Sequence, residues 1–300
     1  SRNGYGEGLV EVGKRDERVV ALAADLTEST RTLPFAEAFP NRFIQMGITE
    51  QNMASVASGM AAMGKIPFIA SYAMFSPGRN WEQIRTTVAY NESNVKIIGA
   101  HAGVSVGPDG ATHQAIEDIA LMRVMPNMIV IAPADVHEAR KATLAAVKYD
   151  GPVYTRVGRS NTPVVTTPES PFEIGKAQVF YEASTQLEKK IGIVVTGTLL
   201  FNALKSAKQL EAEGIGVTVL HMPTIKPLDV EAIKKLAQEH EILITVEEHQ
   251  KAGGLGSAVA EYLSEVLPKK IIRIGVDDQF GQSGEPDELI VHYGMDVQSI

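Results

Sequence analysis

Short β-branched runs alternate with longer helical stretches along most of the chain, and this alternation is what most restricts its fold. Candidate strands lie at 18–23, 42–45, 66–70, 95–100, 128–131 and 153–155, separated by helical patterns at 49–63, 79–90, 113–123 and 135–148. Pro133-Ala-Asp135 opens the last of these helices with a cap signal. Strands joined through helices run parallel, and the helices cover both faces of the sheet they form. Open sheets of this kind bind ligands beyond the carboxyl ends of their strands. Over 158–176 the periodicity stops, and Pro163, Pro168 and Pro171 fall among Thr, Ser and Asn, which marks a boundary. Alternation resumes with strands at 191–196, 216–220, 242–246 and 271–274 and helices at 199–213, 229–238 and 255–267; 277–283 is loop-like and 288–293 reads as one closing element. The expected fold class is α/β with two domains, each a mainly parallel sheet flanked by helices: a first domain over 1–160, a linker over 161–175 and a second domain over 176–300.

Charge narrows the function. Among 300 residues, 28 Lys and Arg stand against 36 Asp and Glu, a net charge of −8, so no basic field exists to neutralise a phosphate backbone or an anionic lipid surface. Neither nucleic acid nor a membrane is an expected partner. The weakly polar stretch 53–75 is broken by Gly59, Gly64, Lys65 and Pro67, short of the roughly 18 apolar residues of a membrane helix. Residues 1–8 lack the apolar region of a signal peptide. Without cysteine, disulfides, thiolate nucleophiles and zinc ribbons are excluded and a reducing compartment is permitted. A cytoplasmic location is the expectation.

Gly103-Val-Ser105-Val-Gly107 matches a nucleophile elbow, but Pro108, Asp109 and Gly110 follow where the helix should begin, so the match reads as accidental. Gly4, Gly6 and Gly8 follow no strand, and Gly253-Gly254-Leu255-Gly256 lacks dinucleotide-binding spacing; the latter suits a turn, or anion binding at a helix N-terminus. Gly47-Ile-Thr49-Glu50-Gln-Asn-Met53 is more informative. Thr49 is a natural N-cap, and Glu50 either complements the helix dipole or, leading into a helix apolar on nearly every side, serves as a desolvated carboxyl that shares a proton with a heterocycle. Tyr72 and Phe75, just after a strand, suit either packing or a wall for a flat ring. His101, Asp109 and His113 share one Gly-rich loop after the next strand, a set suited to hydrogen bonding a polyol and moving protons. Their spacing has no compact metal-binding signature.

Taken together, Ala24-Asp25-Leu-Thr-Glu-Ser29, Gly47-Ile-Thr-Glu50-Gln-Asn, Tyr72-Ala-Met-Phe75, the run from His101 to His113 with Asp109-Gly-Ala-Thr-His113-Gln, and Tyr154-Thr-Arg156 resemble the C-terminal half of transketolase, a thiamine diphosphate enzyme. The resemblance covers nearly the whole chain and implies a pyrimidine-binding domain followed by the transketolase C-terminal domain. It implies that Glu50 contacts the aminopyrimidine ring nitrogen and so promotes loss of the thiazolium C2 proton. Tyr72 and Phe75 would cradle the pyrimidine, with Asp25 also on the cofactor side; a third aromatic of many transketolases falls near Gly78 here. His101 and His113 would hydrogen-bond the donor sugar and assist proton transfers, Asp109 would read a hydroxyl, and Arg2, Ser29 and Arg156 would hold the sugar phosphate, arginine supplying bidentate charge-assisted bonds.

The family's diphosphate-binding half carries Gly-Asp-Gly followed by an Asn, and no Gly-Asp-Gly occurs in this chain. The resemblance therefore implies one subunit of a split transketolase, with diphosphate and its Mg2+ or Ca2+ held by a separate N-terminal-section subunit. Family dimers imply self-association through the pyrimidine-binding and C-terminal domains, with two copies of each chain. Deoxyxylulose-phosphate synthase shares Glu-Gln and Asp-Gly-x-Thr-His-Gln, and the β subunits of 2-oxoacid dehydrogenases share the two-domain layout; His101 favours transketolase over the synthase. A non-catalytic assembly or regulatory subunit is the reading of another class. Retention of Glu50, Tyr72, Phe75, His101 and His113 argues against it.

Overall fold

The computed structural model describes residues 1–184 and 187–300. In chain order the first half comprises α1 (Arg2–Arg15), β1 (Val19–Ala23), α2 (Leu33–Ala38), β2 (Phe43–Gln45), α3 (Glu50–Ala62), β3 (Ile66–Tyr72), α4 (Trp81–Gln83), β4 (Lys96–Ala100), α5 (Asp118–Arg123), β5 (Ile129–Ile131), α6 (Val136–Lys148) and β6 (Val153–Val157). The second comprises β7 (Gln178–Glu182), β8 (Lys189–Val195), α7 (Leu200–Ala212), β9 (Gly216–His221), β10 (Thr224–Lys226), α8 (Val230–Glu239), β11 (Ile242–Gln250), α9 (Leu255–Val266), β12 (Lys270–Val276) and α10 (Pro286–His292). They form two mainly parallel sheets flanked by helices, as the alternation requires: a seven-stranded sheet ordered β10-β5-β6-β4-β3-β1-β2 and a five-stranded one ordered β12-β11-β8-β9-β7. Only β10 against β5 and β7 against β9 run antiparallel among the described strands. The central strands are buried on both faces, which is why they read as continuous β-branched runs.

Several elements depart from the sequence pattern for identifiable reasons. α1 is masked by its glycines, which lower helix propensity but let it lie directly on α6: a Cβ at Gly4 would strike the Val136 carbonyl, and one at Gly8 would sit 2.8 Å from Thr143 Cβ. The pattern at 79–90 becomes a short α-turn followed by a π-turn over Ile84–Ala89. There Thr86 and Thr87 donate their hydroxyls to the carbonyls of Glu82 and Gln83 four residues back, at 2.9 and 2.6 Å, competing with the regular ladder. The helix expected from 113 starts only at Asp118, because 113–117 belongs to a loop fixed by side chains. β10 joins the first half's sheet from the second half of the chain. It is three residues long and lies between Pro223 and Pro227, so no periodicity announces it.

Residues 158–177 lack regular structure but are tied down. Asp135, the N-cap of α6, accepts from the Glu138 amide and also from the amides of Val165 and Thr166 and the Thr166 hydroxyl. Lys141 donates to the carbonyls of Thr167 and Ser170. One apolar core runs through both halves, from Leu22, Met53 and Ile97 to Val194, Leu243 and Leu263.

Candidate active site

Four neighbouring strands, β4, β3, β1 and β2, end at the same edge of the larger sheet, and the chain beyond each end carries the chemistry. Past β2, Gly47 in the left-handed region (φ 73°) turns the backbone into α3. Thr49 does not cap that helix; its hydroxyl turns back to donate to the Met46 carbonyl at 2.8 Å. Glu50 opens α3 and is 1% exposed. Its Oε1 accepts from Ser71 Oγ at 3.2 Å, its Oε2 from Arg79 Nη1 at 2.7 Å, and its main-chain carbonyl from Asn80 Nδ2 at 3.0 Å. Arg79, itself half-exposed, lies over the Phe75 ring at 4.7 Å. A cavity of about 230 Å³ opens here, lined by Ala24, Asp25, Ile48, Glu50, Phe75 and Arg79. Asp25 is thus brought beside Glu50, its own amide held by Gln45 Oε1 at 2.9 Å.

Tyr72 and Phe75 stack with ring centroids 6.2 Å apart at 22°. Tyr72 also meets His101 at 4.0 Å, and Phe75 meets His113 edge-on at 5.5 Å. His101 follows directly on β4 with φ 55°, a conformation rare outside glycine, and is 2% exposed. Arg2 Nη1 reaches its Nε2 at 3.4 Å. A guanidinium has only donors, so Nε2 accepts and the proton of the neutral ring sits on Nδ1. That Nδ1 is buried without a hydrogen-bond partner. Burial first, then the Arg2, Arg159 and Arg31 cations, pull the imidazole down to about 3, so it is neutral at ordinary pH. Burial, and after it Arg31 and Arg159, likewise lower the Arg2 pKa. A neutral donor amid three arginines is an arrangement for an oxyanion with an adjacent oxygen to hydrogen-bond.

The remaining expected residues divide. Ser29 offers its carbonyl to Arg2 Nη1 at 2.7 Å, which orients that cation. His113 is half-buried with Nδ1 2.9 Å from Thr112 Oγ1, and Asp109 is exposed, 3.9 Å from Arg159. Arg156 is the exception: contrary to the expectation that it holds the sugar phosphate, it does not face the cluster. It is 8% exposed, and its Nε donates to Asp118 at 2.9 Å while its Nη2 reaches the carbonyls of Glu248 and Ala115 at 2.6 and 3.4 Å. The cation past β6 that acts on His101 is Arg159, a residue sequence reasoning passed over. Arg79, Ser71 and Arg31 were missed as well.

Two other motifs find plain structural roles. Ser105 of the elbow match sits on a 3-10 turn whose amide is bonded to Glu248, not on a strand-to-helix turn. At Gly253–Gly256 the start of α9 is filled by the chain's own Glu247, which accepts from the amides of Leu255 and Gly256 at 2.7 and 2.8 Å, so no anion is needed there. No helix of the described residues is long and apolar enough to cross a membrane.

Comparison with known proteins gives this edge of the sheet a family. Residues 1–165 match the transketolase pyrimidine-binding domain and residues 182–300 the transketolase C-terminal domain. A protein of Methanocaldococcus jannaschii provisionally named a transketolase C-terminal section is 46% identical over all of this chain and 93% of its own length. One of the subunits of an apulose-4-phosphate transketolase from Phocaeicola vulgatus is 37% identical over all of this chain and 94% of its own. Among solved structures, a split-gene transketolase described as an inactive beta4 tetramer is 46% identical with a TM-score of 0.91, covering 99% of this chain and 94% of that one. The two domain matches, together with relatives aligned over nearly their full length, establish that the chain belongs to the transketolase family.

Proposed function

We propose that this chain is the C-terminal-section subunit of a split transketolase which, with an N-terminal-section partner, transfers a two-carbon ketol unit between sugar phosphates, as in pentose phosphate interconversion in the cytoplasm. The observation that carries the reading is the buried Glu50 carboxylate facing a cavity walled by Phe75, with Tyr72 stacked behind it. A flat aminopyrimidine needs such an acceptor beside aromatic faces, so these residues fit thiamine diphosphate, which when bound supplies the nucleophilic carbon for cleaving the bond beside a ketone. Glu50 would meet the ring nitrogen, with Ser71 fixing Oε1 and Arg79 beside Oε2. Neutral His101 donates from Nδ1 to a sugar oxygen, and His113 at the far end of the loop moves a proton. Asp109 reads a hydroxyl, and Arg2, oriented by Ser29, clamps the phosphate together with Arg159.

Relatives named for apulose 4-phosphate and for 6-deoxy-6-sulfo-D-fructose suggest the chemistry of the substrate's tail, since both names carry a tetrahedral oxyanion. The chain lacks Gly-Asp-Gly, so the diphosphate and its Mg2+ or Ca2+ are assigned to the partner. Residues 1–160 and 176–300 are taken as the pyrimidine-binding and C-terminal domains, joined by 161–175, and their self-association gives two copies of each subunit. In the reconstituted pair, Glu50→Gln lowers ketol transfer from xylulose 5-phosphate to ribose 5-phosphate by at least about 100-fold while gel filtration shows intact assembly. Wild-type turnover in that variant would remove Glu50 from the role.

A further inference from the structure

We propose that Glu248, in the second half of the chain, is a positioning residue that clamps the His101–His113 loop and thereby gives the C-terminal domain a part in substrate binding. Glu248 lies near the end of β11 and is 4% exposed. Its Oε1 accepts the Ser105 amide at 2.6 Å, and its Oε2 accepts Thr198 Oγ1 at 3.2 Å. Gly103 gives the carboxylate room to reach that amide: its φ is 89°, and a Cβ there would collide with Glu248 Oε1 and Cδ. The bond therefore crosses from β11 into the turn between His101 and Asp109.

Other residues hold the carbonyls of the same turn, Ser160 Oγ that of Ser105 at 3.2 Å. Gln114 donates through Nε2 to the Val104 carbonyl at 3.0 Å and to that of Gln282, again from the second half, at 2.9 Å. Arg159 Nη1 donates to the Val106 carbonyl at 2.5 Å. Ser105 is midway along the seven residues between His101 and Asp109, so loss of its amide partner loosens the turn that spaces them, and displacement of reacting groups by about 1 Å can cost about 100-fold in rate. Glu248 touches none of Glu50, Tyr72 and Phe75; Tyr72 and Phe75 meet the loop only through the His101 and His113 rings, so the cofactor side feels the change less than the sugar side.

The inference rests on the reading above for its kinetic part only. In the reconstituted pair, Glu248→Ala raises KM for both sugar phosphates about tenfold and shifts the thiamine diphosphate Kd by no more than about twofold. Glu248→Gln, whose amide oxygen still accepts from Ser105 and whose NH2 can donate to Thr198, restores wild-type KM. Independently of any reaction, hydrogen–deuterium exchange of the isolated chain shows faster uptake across 101–113 in Glu248→Ala and not in Glu248→Gln. If Glu248→Ala does not fold, Thr198→Val gives the same changes at about two- to threefold. Sugar KM and uptake both at wild-type levels in whichever of Glu248→Ala or Thr198→Val folds would overturn the clamp. So would a matching loss of cofactor affinity, which marks general damage. Changed uptake in a pair with no ketol transfer retains the clamp and rejects the transketolase reading.

Discussion

Arg156 and Arg159 are three residues apart and have opposite fates, for reasons that lie in strand geometry. On β6 side chains alternate, so Tyr154 and Arg156 share a face, and both converge on one buried Asp118, at 2.6 and 2.9 Å. Arg159 is two residues past the strand's end, on the edge where ligands of open parallel sheets bind. A place inside a strand buried on both faces would have assigned the arginine to the core; matching the family motif alone selected it for the substrate. Arg159→Ala should cost at most about 1.5 kcal/mol in urea unfolding, through its bond to the Val106 carbonyl, and raise KM for the phosphorylated sugar at least about tenfold, since a charged hydrogen bond contributes about 1.5–3 kcal/mol. Arg156→Met strands Asp118 in a dry interior and should cost about 3–5 kcal/mol of stability. Equal stability in the two variants would contradict this division. Other site residues were legible because their type is unusual for their place: Glu50 heads a helix of Ala and Met, and two histidines share one glycine-rich loop. Arg79 was not, because a half-exposed arginine in a turn carries no signal until its partner is known.

At the scale of elements, what was legible depended on whether the element is stabilised locally or by its neighbours. α6 shows an amphipathic face behind a Pro-Ala-Asp start, and Asp135 caps it as that signal requires. α1 and β10 are held by packing and pairing with distant segments, so their own residues give no periodicity. The 158–177 segment is the intermediate case: its residues look like a linker, yet Asp135 binds it from α6. Burial of Asp135 by itself would raise its pKa, but the Thr166 hydroxyl and the amides of Glu138, Thr166 and Val165 outweigh it and hold the carboxyl below its usual range. A carboxyl lowered on folding contributes its stability in full above the unfolded pKa, about 3.9, and loses it as pH falls through the folded value. Asp135→Ala should therefore cost about 2 kcal/mol or more near neutrality, the upper range for a lost cap. The gap from wild type should narrow as urea titrations are repeated below about pH 4. A gap that stays constant down to acid unfolding would mean that packing, not the carboxylate, holds 158–177.

Across the whole molecule, the two halves suggested by the broken periodicity are bound together more closely than a linker implies. β10 completes the first half's sheet along β5. Arg156 bonds the Glu248 carbonyl, and Glu138 of α6 is hydrogen-bonded to His221 of β9 at 2.8 Å, both side chains buried. Arg123 pairs with Glu261, and the largest apolar cluster draws on both sheets. Removing the second half would expose the edge of β5, leave Glu138 buried without its histidine and open part of the core, penalties that together exceed the ~5–15 kcal/mol by which a typical domain is stable. The isolated chain should therefore unfold in one transition, with van't Hoff and calorimetric enthalpies close to equal. A fragment of residues 1–176 should give no cooperative melt of its own. Two resolved calorimetric transitions, or a 1–176 fragment with a native-like melt, would show instead that the halves are independent. A single transition also bears on the Glu248 clamp, because a C-terminal domain that undocked on its own could not hold the substrate loop in register with Glu50.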